Sequence, residues 1–138
     1  MLLLHGWDPV NPGDPFWFTI GGAAEHGETL RQAAARELLE EAGIAVGEES
    51  LGEPFATAPI EFTWAGMLFD QDQTFFAVLV DGVDVSFDGQ ESLERATIDF
   101  HGWLLPEELE SGDAGRPADP QIPSLMRAAV AAVGDWRV

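Results

Sequence analysis

Residues Gly22–Ile44 read GAAEHGETLRQAAARELLEEAGI, a pattern that predicts one amphipathic helix carrying a row of acids. Thr29 is a good N-cap and Gln32 lies three positions on, the capping-box spacing. Ala33, Ala34 and Ala35 favour helix strongly, and Gly43 supplies a stop, so the helix is expected from Thr29 to about Ala42. At about 3.6 residues per turn, Glu37, Glu40 and Glu41 share one arc of its surface and repel one another. Leu38, Leu39, Ala34 and Ala35 lie elsewhere around the cylinder and can face a core.

Glutamates on one helical face are ordinarily a solvated surface. These have neighbours that point further. Gly21-Gly22 closes a strand candidate and permits a sharp turn. Glu28 stands just before the helix N-terminus, where negative charge is favoured, and Arg36 can orient Glu37 or pair with Glu28. A strand, a glycine loop and an acid-lined helix present a helix N-terminus to phosphate. A hard divalent cation such as Mg²⁺, which takes oxygen ligands, would relieve the repulsion among the three acids.

Outward from this segment, Leu2–Leu4 reads as a short strand, and the turn formers from Asp8 to Pro15 as a loop. Phe16–Ile20 is a strand candidate. Downstream, Phe55–Trp64, a turn at Ala65-Gly66 and Met67–Phe69 follow. Thr74–Val80 is nearly all apolar, as expected of a central strand buried on both faces. Phe100–Leu105 is another short strand, Pro106–Leu109 a helical turn, Ser111–Pro120 a loop, and Ile122–Val133 a helix whose apolar face reads as core packing. With no internal repeat, one domain over residues 1–138 is expected. It is of the α/β class, an α/β/α sandwich with a mixed sheet between helices.

Of the 138 residues, 46% are apolar, enough for a core. The absence of cysteine excludes disulfides, thiol catalysis and cysteine zinc sites. Three scattered histidines, His5, His26 and His101, make a histidine metal site improbable. Twenty-five acids face six arginines and no lysine, for a net charge of −19. Such a surface repels long nucleic acid and anionic membranes, yet a small phosphorylated ligand can bind where dications neutralise the site. Most of the acidity reads as solubility or salt adaptation. The apolar start Met1–Leu4 is too short for a signal peptide, no apolar run reaches membrane-spanning length, and a cytoplasmic protein is expected.

The helix segment resembles the signature of the Nudix (MutT-like) hydrolases, G-x5-E-x7-R-E-U-x-E-E-x-G-U with U aliphatic. Gly22, Glu28, Arg36, Glu37, Leu38, Glu40, Glu41, Gly43 and Ile44 fill every specified position. At these residue frequencies a chance match is on the order of a few in ten million. WFTIGG before the box, and EFTWAGMLFDQDQTFFAV and HGWLLPEEL after it, are similar to the family's flanking strands, with Ile20 standing where many members have proline. The family's usual first strand would precede Leu2–Leu4. It is expected either upstream of Met1 or missing, and its loss would expose a sheet edge.

The resemblance implies roles. Glu37 and Glu41 would be the principal Mg²⁺ ligands, with Mn²⁺ able to substitute, Glu40 a direct or water-mediated ligand, and the Gly21 carbonyl a further one. Arg36 would hold Glu37, and Glu28 would act behind the ligands. A carboxylate must serve as general base. Family members differ over which; outside the box Glu94 ranks first and Glu91 second, though both also read as ordinary loop acids. Trp17 and Gly22 are the substrate-contact candidates. Phe16, Phe18, Trp64 and Trp103 are further stacking candidates that read equally as packing, and Arg31, Arg95 and Arg127 are arginines with the reach to meet phosphate.

The implied activity is Mg²⁺-dependent cleavage of the pyrophosphate bond of a nucleoside diphosphate linked to another moiety, such as ADP-ribose or a nucleotide sugar. Pro59, 15 residues past the box, resembles the proline of ADP-ribose members. The chain has no tyrosine, so the downstream tyrosine of dinucleoside polyphosphate members is missing. Alternatives are a housecleaning nucleoside triphosphate pyrophosphohydrolase and, from a different class, a non-catalytic nucleotide sensor. The partner expected is the small nucleotide diphosphate substrate, and the family's habits admit a homodimer.

Overall fold

The computed structural model describes residues 1–81, 83–90 and 96–134. Strand β1 (Leu2–Asp8) turns at Pro9-Val10 into β2 (Asn11–Phe18), and helix α1 (Leu30–Ala42) follows. After a 3₁₀ turn at Glu48–Leu51 come β3 (Ala56–Trp64) and β4 (Met67–Phe75), then β5 (Ile98–Trp103). Two helices close the described chain, the short α2 (Pro106–Glu110) and α3 (Ile122–Gly134).

The strands form a three-stranded sheet ordered β2-β1-β5 and a separate hairpin of β3 and β4. Every ladder between them is antiparallel. The parallel component expected of a mixed sheet survives among the described residues as one bridge, Trp17 to Pro117. β1 has a partner on each side, so it does not form an open edge.

Alternation along β1 builds the layers, because successive side chains point to opposite faces. Leu3 packs with Trp17, Leu104, Leu109, Ile122 and Met126, the cluster beneath α2 and α3. Leu2 points the other way, to Ala42 and Ile44, with Leu38 and Ile20 packed around them. The sheet therefore lies between α1 and the α2–α3 pair. Leu3, Leu4 and Met126 are fully buried, and each such side chain contributes roughly 1.5–3 kcal/mol by leaving water.

Two sequence expectations are corrected. The proline-rich stretch Asp8–Pro15 is not a loop: Asp8 pairs with Asn11 across a tight turn, and β2 starts there. Pro12 and Pro15 are accommodated because β2 is the outer strand, where a missing N–H breaks no second ladder. Nor is Thr74–Val80 a central strand. Strand β4 runs from Met67 and stops at Phe75, where its partner β3 ends at Ala56. The chain just before β3 contains Gly52 at φ 61° and then Pro54, so the last link is Phe55 N–H to the Phe75 carbonyl at 2.9 Å. Val80 instead packs beside the α1 cluster.

The two hairpin tips are tied together by Asp8. Its buried carboxylate accepts from Val10 N–H at 3.0 Å in its own turn and from Ala65 N–H at 2.9 Å in the β3–β4 turn. Ala65 there adopts φ 54°.

Candidate active site

Helix α1 forms as its sequence predicts. Thr29 caps it, the Gln32 N–H donating to the Thr29 hydroxyl at 3.1 Å and the Thr29 N–H to the Gln32 side chain at 3.0 Å. Gly43 ends it in the left-handed conformation at φ 71°, which costs glycine least.

Arg36 is the hub of the acidic face. Its Nε and Nη2 donate to the two Glu28 oxygens at 2.8 and 3.1 Å, a bidentate pair. Its Nη1 donates to Glu37 at 2.9 Å and to Glu40 at 3.0 Å, and Nη2 also reaches the Ala23 carbonyl at 3.0 Å. Such planar, charge-assisted bonds are about twice as strong as neutral ones. They hold the Glu28 carboxyl below its usual range, helped by the Glu25 N–H, and raise the guanidinium further above neutrality.

Glu37 and Glu41 are buried, at 8% and 6% exposure, and lie one turn apart on the same face of α1. Burial pushes the Glu37 carboxyl above the usual carboxylate range, against the opposing pull of Arg36. The glycine loop closes over this pair. The Gly21 N–H donates to Glu41 Oε2 at 3.0 Å. Gly22 lies so close that a Cβ there would stand 2.4 Å from Glu37 Oε1. Two adjacent buried carboxyls ask for a proton or a cation between them, and their oxygens are the donors a hard dication takes. The pair fits part of such a site. Among the described residues no three His, Asp or Glu side chains already converge as a cage, because Glu28 and Glu40 turn to Arg36 instead.

Other expected residues fall elsewhere. Trp17 is corrected: it is 5% exposed within the core cluster, its indole N–H donating to the Ala114 carbonyl at 2.8 Å, so its ring offers no stacking face. A strand that alternates faces and pairs with β1 turns this residue inward. Glu91, Glu94 and Arg95 lie outside the described residues. Arg31 binds the Gly52 carbonyl and Glu53, and Arg127 binds Glu107 and Glu110 of α2. His5 pairs with Asp99 at 2.7 Å and stacks on Phe100, while His101 meets the Phe87 edge.

Sequence reading missed Ser86 and Gln90. Ser86 N–H donates to the Ala42 carbonyl at 2.8 Å and the Gln90 amide to the Glu41 carbonyl at 2.9 Å. No motif marks them, since a cap supplied from more than forty residues away leaves no local spacing to read.

The NUDIX domain model matches residues 1–125. No curated protein sequence matches the chain. Among solved structures, the chain is similar to the crystal structure of a C. elegans Ap4A hydrolase binary complex, with a TM-score of 0.58 and 20% identity over 97% of this chain and 85% of that one. At that identity the likeness is one of fold: helices on both sides of a β-sheet core. Among the described residues no helix is long and apolar enough to cross a membrane.

Proposed function

Since the chain belongs to the Nudix family and is a pyrophosphohydrolase of that family, we propose that it cleaves the pyrophosphate bond of a nucleoside diphosphate joined to a second moiety, such as ADP-ribose or a nucleotide sugar. The observation that carries the reading is the buried Glu37–Glu41 carboxyl pair under the Gly21-Gly22 loop. We assign Mg²⁺, with Mn²⁺ as a substitute, to Glu37 and Glu41, with the Gly21 backbone and Glu40 nearby. When bound, the cation neutralises the diphosphate and lowers the pKa of a coordinated water.

The chain's own residues do the rest. Arg36 holds Glu37 in one rotamer through its 2.9 Å bond, and Glu28 anchors Arg36 from the far side. Gly22 leaves the room that the Glu37 carboxylate occupies. Glu40, at 42% side-chain exposure, is the solvent-facing acid of the face. It is the described carboxylate best placed to take a proton from water, with Glu94 as the candidate from the later loop.

The test is a panel of ADP-ribose, nucleotide sugars, dinucleoside polyphosphates and nucleoside triphosphates with Mg²⁺, run on wild type and Glu41→Gln. Monophosphate release from the diphosphate derivatives, abolished in the variant, is expected. Preference for triphosphates would replace the substrate class, and equal activity of the two proteins would refute the site.

A further inference from the structure

A helix leaves its last four carbonyls without internal partners. At the end of α1 these belong to Leu39, Glu40, Glu41 and Ala42. The Gly43 N–H takes the Leu39 carbonyl at 2.9 Å. The others face the distant segment Ser86–Gln90, where Ser86 N–H takes Ala42, the Gln90 amide takes Glu41 at 2.9 Å, and Gly89 lies flat on Glu40. A Cβ on Gly89 would stand 3.0 Å from the Glu40 carbonyl oxygen. Two of the orphan carbonyls thus belong to acids of the proposed metal face.

Gln90 is itself 7% exposed, and its Oε1 has no partner. A buried amide with half its capacity unmet is retained at a cost, and here its N–H₂ is directed to the Glu41 backbone. We propose that Gln90 is a positioning residue for the metal face. It caps the last turn of α1 from a remote segment and so fixes the direction in which the Glu41 carboxylate leaves the helix. The inference rests on the assignment of Glu37 and Glu41 to the dication. Without the cap, the buried Glu41 carbonyl loses this 2.9 Å bond. The turn then loosens, and the carboxylate loses its register with Glu37 and the Gly21 N–H.

The experiment measures Mn²⁺ binding to the full chain from the free-ion electron paramagnetic resonance signal, with kcat and KM measured in parallel. Gln90→Met keeps the length and removes the donor. Gly89→Ala, which crowds the Glu40 carbonyl instead, serves if the first variant does not fold. Met126→Ala, buried in the opposite cluster, controls for simple destabilisation. Gln90→Met is expected to weaken Mn²⁺ binding roughly tenfold or more, the usual scale for a group supporting a ligand. Its kcat should fall in step, while Met126→Ala binds Mn²⁺ as wild type does. Wild-type affinity in Gln90→Met, or an equal loss in Met126→Ala, overturns the inference alone. Failure of the wild type to bind Mn²⁺ overturns the site assignment and the inference with it.

Discussion

At the scale of single residues, the acidic face is ordered by one cation. Arg36 bonds Glu28, Glu37 and Glu40 at once, so its removal releases three carboxylates to repel each other. Arg36→Ala is expected to lower kcat/KM with Mg²⁺ by roughly 10–100-fold, the range for groups that orient metal ligands. Steady-state kinetics checks this, and an undiminished rate would show that Glu37 needs no orienting partner. Glu28 adds a pH signature. Its carboxyl lies below its ordinary value of 4.5, chiefly through the Arg36 bond. Its stabilising contribution is therefore complete above that pH and lost as pH falls through the lowered folded-state value. The urea midpoint gap between wild type and Glu28→Gln should be widest near neutrality and close on acidification below 4.5; a gap constant across that range would count against the bond. The box residues were legible because chemistry demanded fixed types at fixed local spacing. Glu40's turn toward Arg36 was not, since one arginine four residues away competes with a ligand set that sequence spacing alone treats as equivalent.

At the scale of elements, α1 was readable end to end, cap, alanine run and glycine stop included, because every signal for it is local. The hairpins were readable only in part: the strand to Trp64, the Ala65-Gly66 turn and the restart at Met67 were legible, but the β1–β2 hairpin and the end of β4 were not. Proline and glycine in Asp8–Pro15 spell a loop until the strand is known to be an outer one, and seven near-apolar residues at Thr74–Val80 spell a strand until the partner is known to end at Ala56. Both outcomes depend on neighbours far along the chain. The Asp8 tie between turns is of the same kind. Asp8→Ala leaves the Ala65 and Val10 N–H groups without their acceptor, and a loss of about 1–3 kcal/mol in chemical denaturation is expected. Ala65, at φ 54°, carries the opposite expectation. Ala65→Gly relieves about 1–2 kcal/mol of left-handed strain and gives back roughly half in unfolded-chain entropy, so the urea midpoint should rise; a fall would mean that the turn is not strained.

At the scale of the whole molecule, 25 acids against six arginines leave a net charge of −19 on 138 residues. Among the described residues all four arginines are spent on ion pairs, so the remaining carboxylates repel across the surface. The melting temperature is expected to climb as NaCl rises from about 10 mM to about 150 mM, as the screening length shortens; a flat response in differential scanning calorimetry would show that the charges are spaced beyond mutual reach. The layered α/β plan was legible from two apolar helix faces in need of a sheet. The order of strands within that sheet was not, because antiparallel neighbours carry the same alternation whichever partner they choose.

That strand order has a consequence for how the chain matures. β1 ends at Asp8, yet one of its two neighbours, β5, begins only at Ile98 and leaves the ribosome well after it. Until Ile98 has been made, the leucine-rich strand β1 has that flank open, and contacts of such long sequence separation form slowly. The nascent polypeptide thus carries β1 with one flank bare over that interval, and holdase chaperones should engage stalled chains that end before Ile98 far more than chains extended past Trp103.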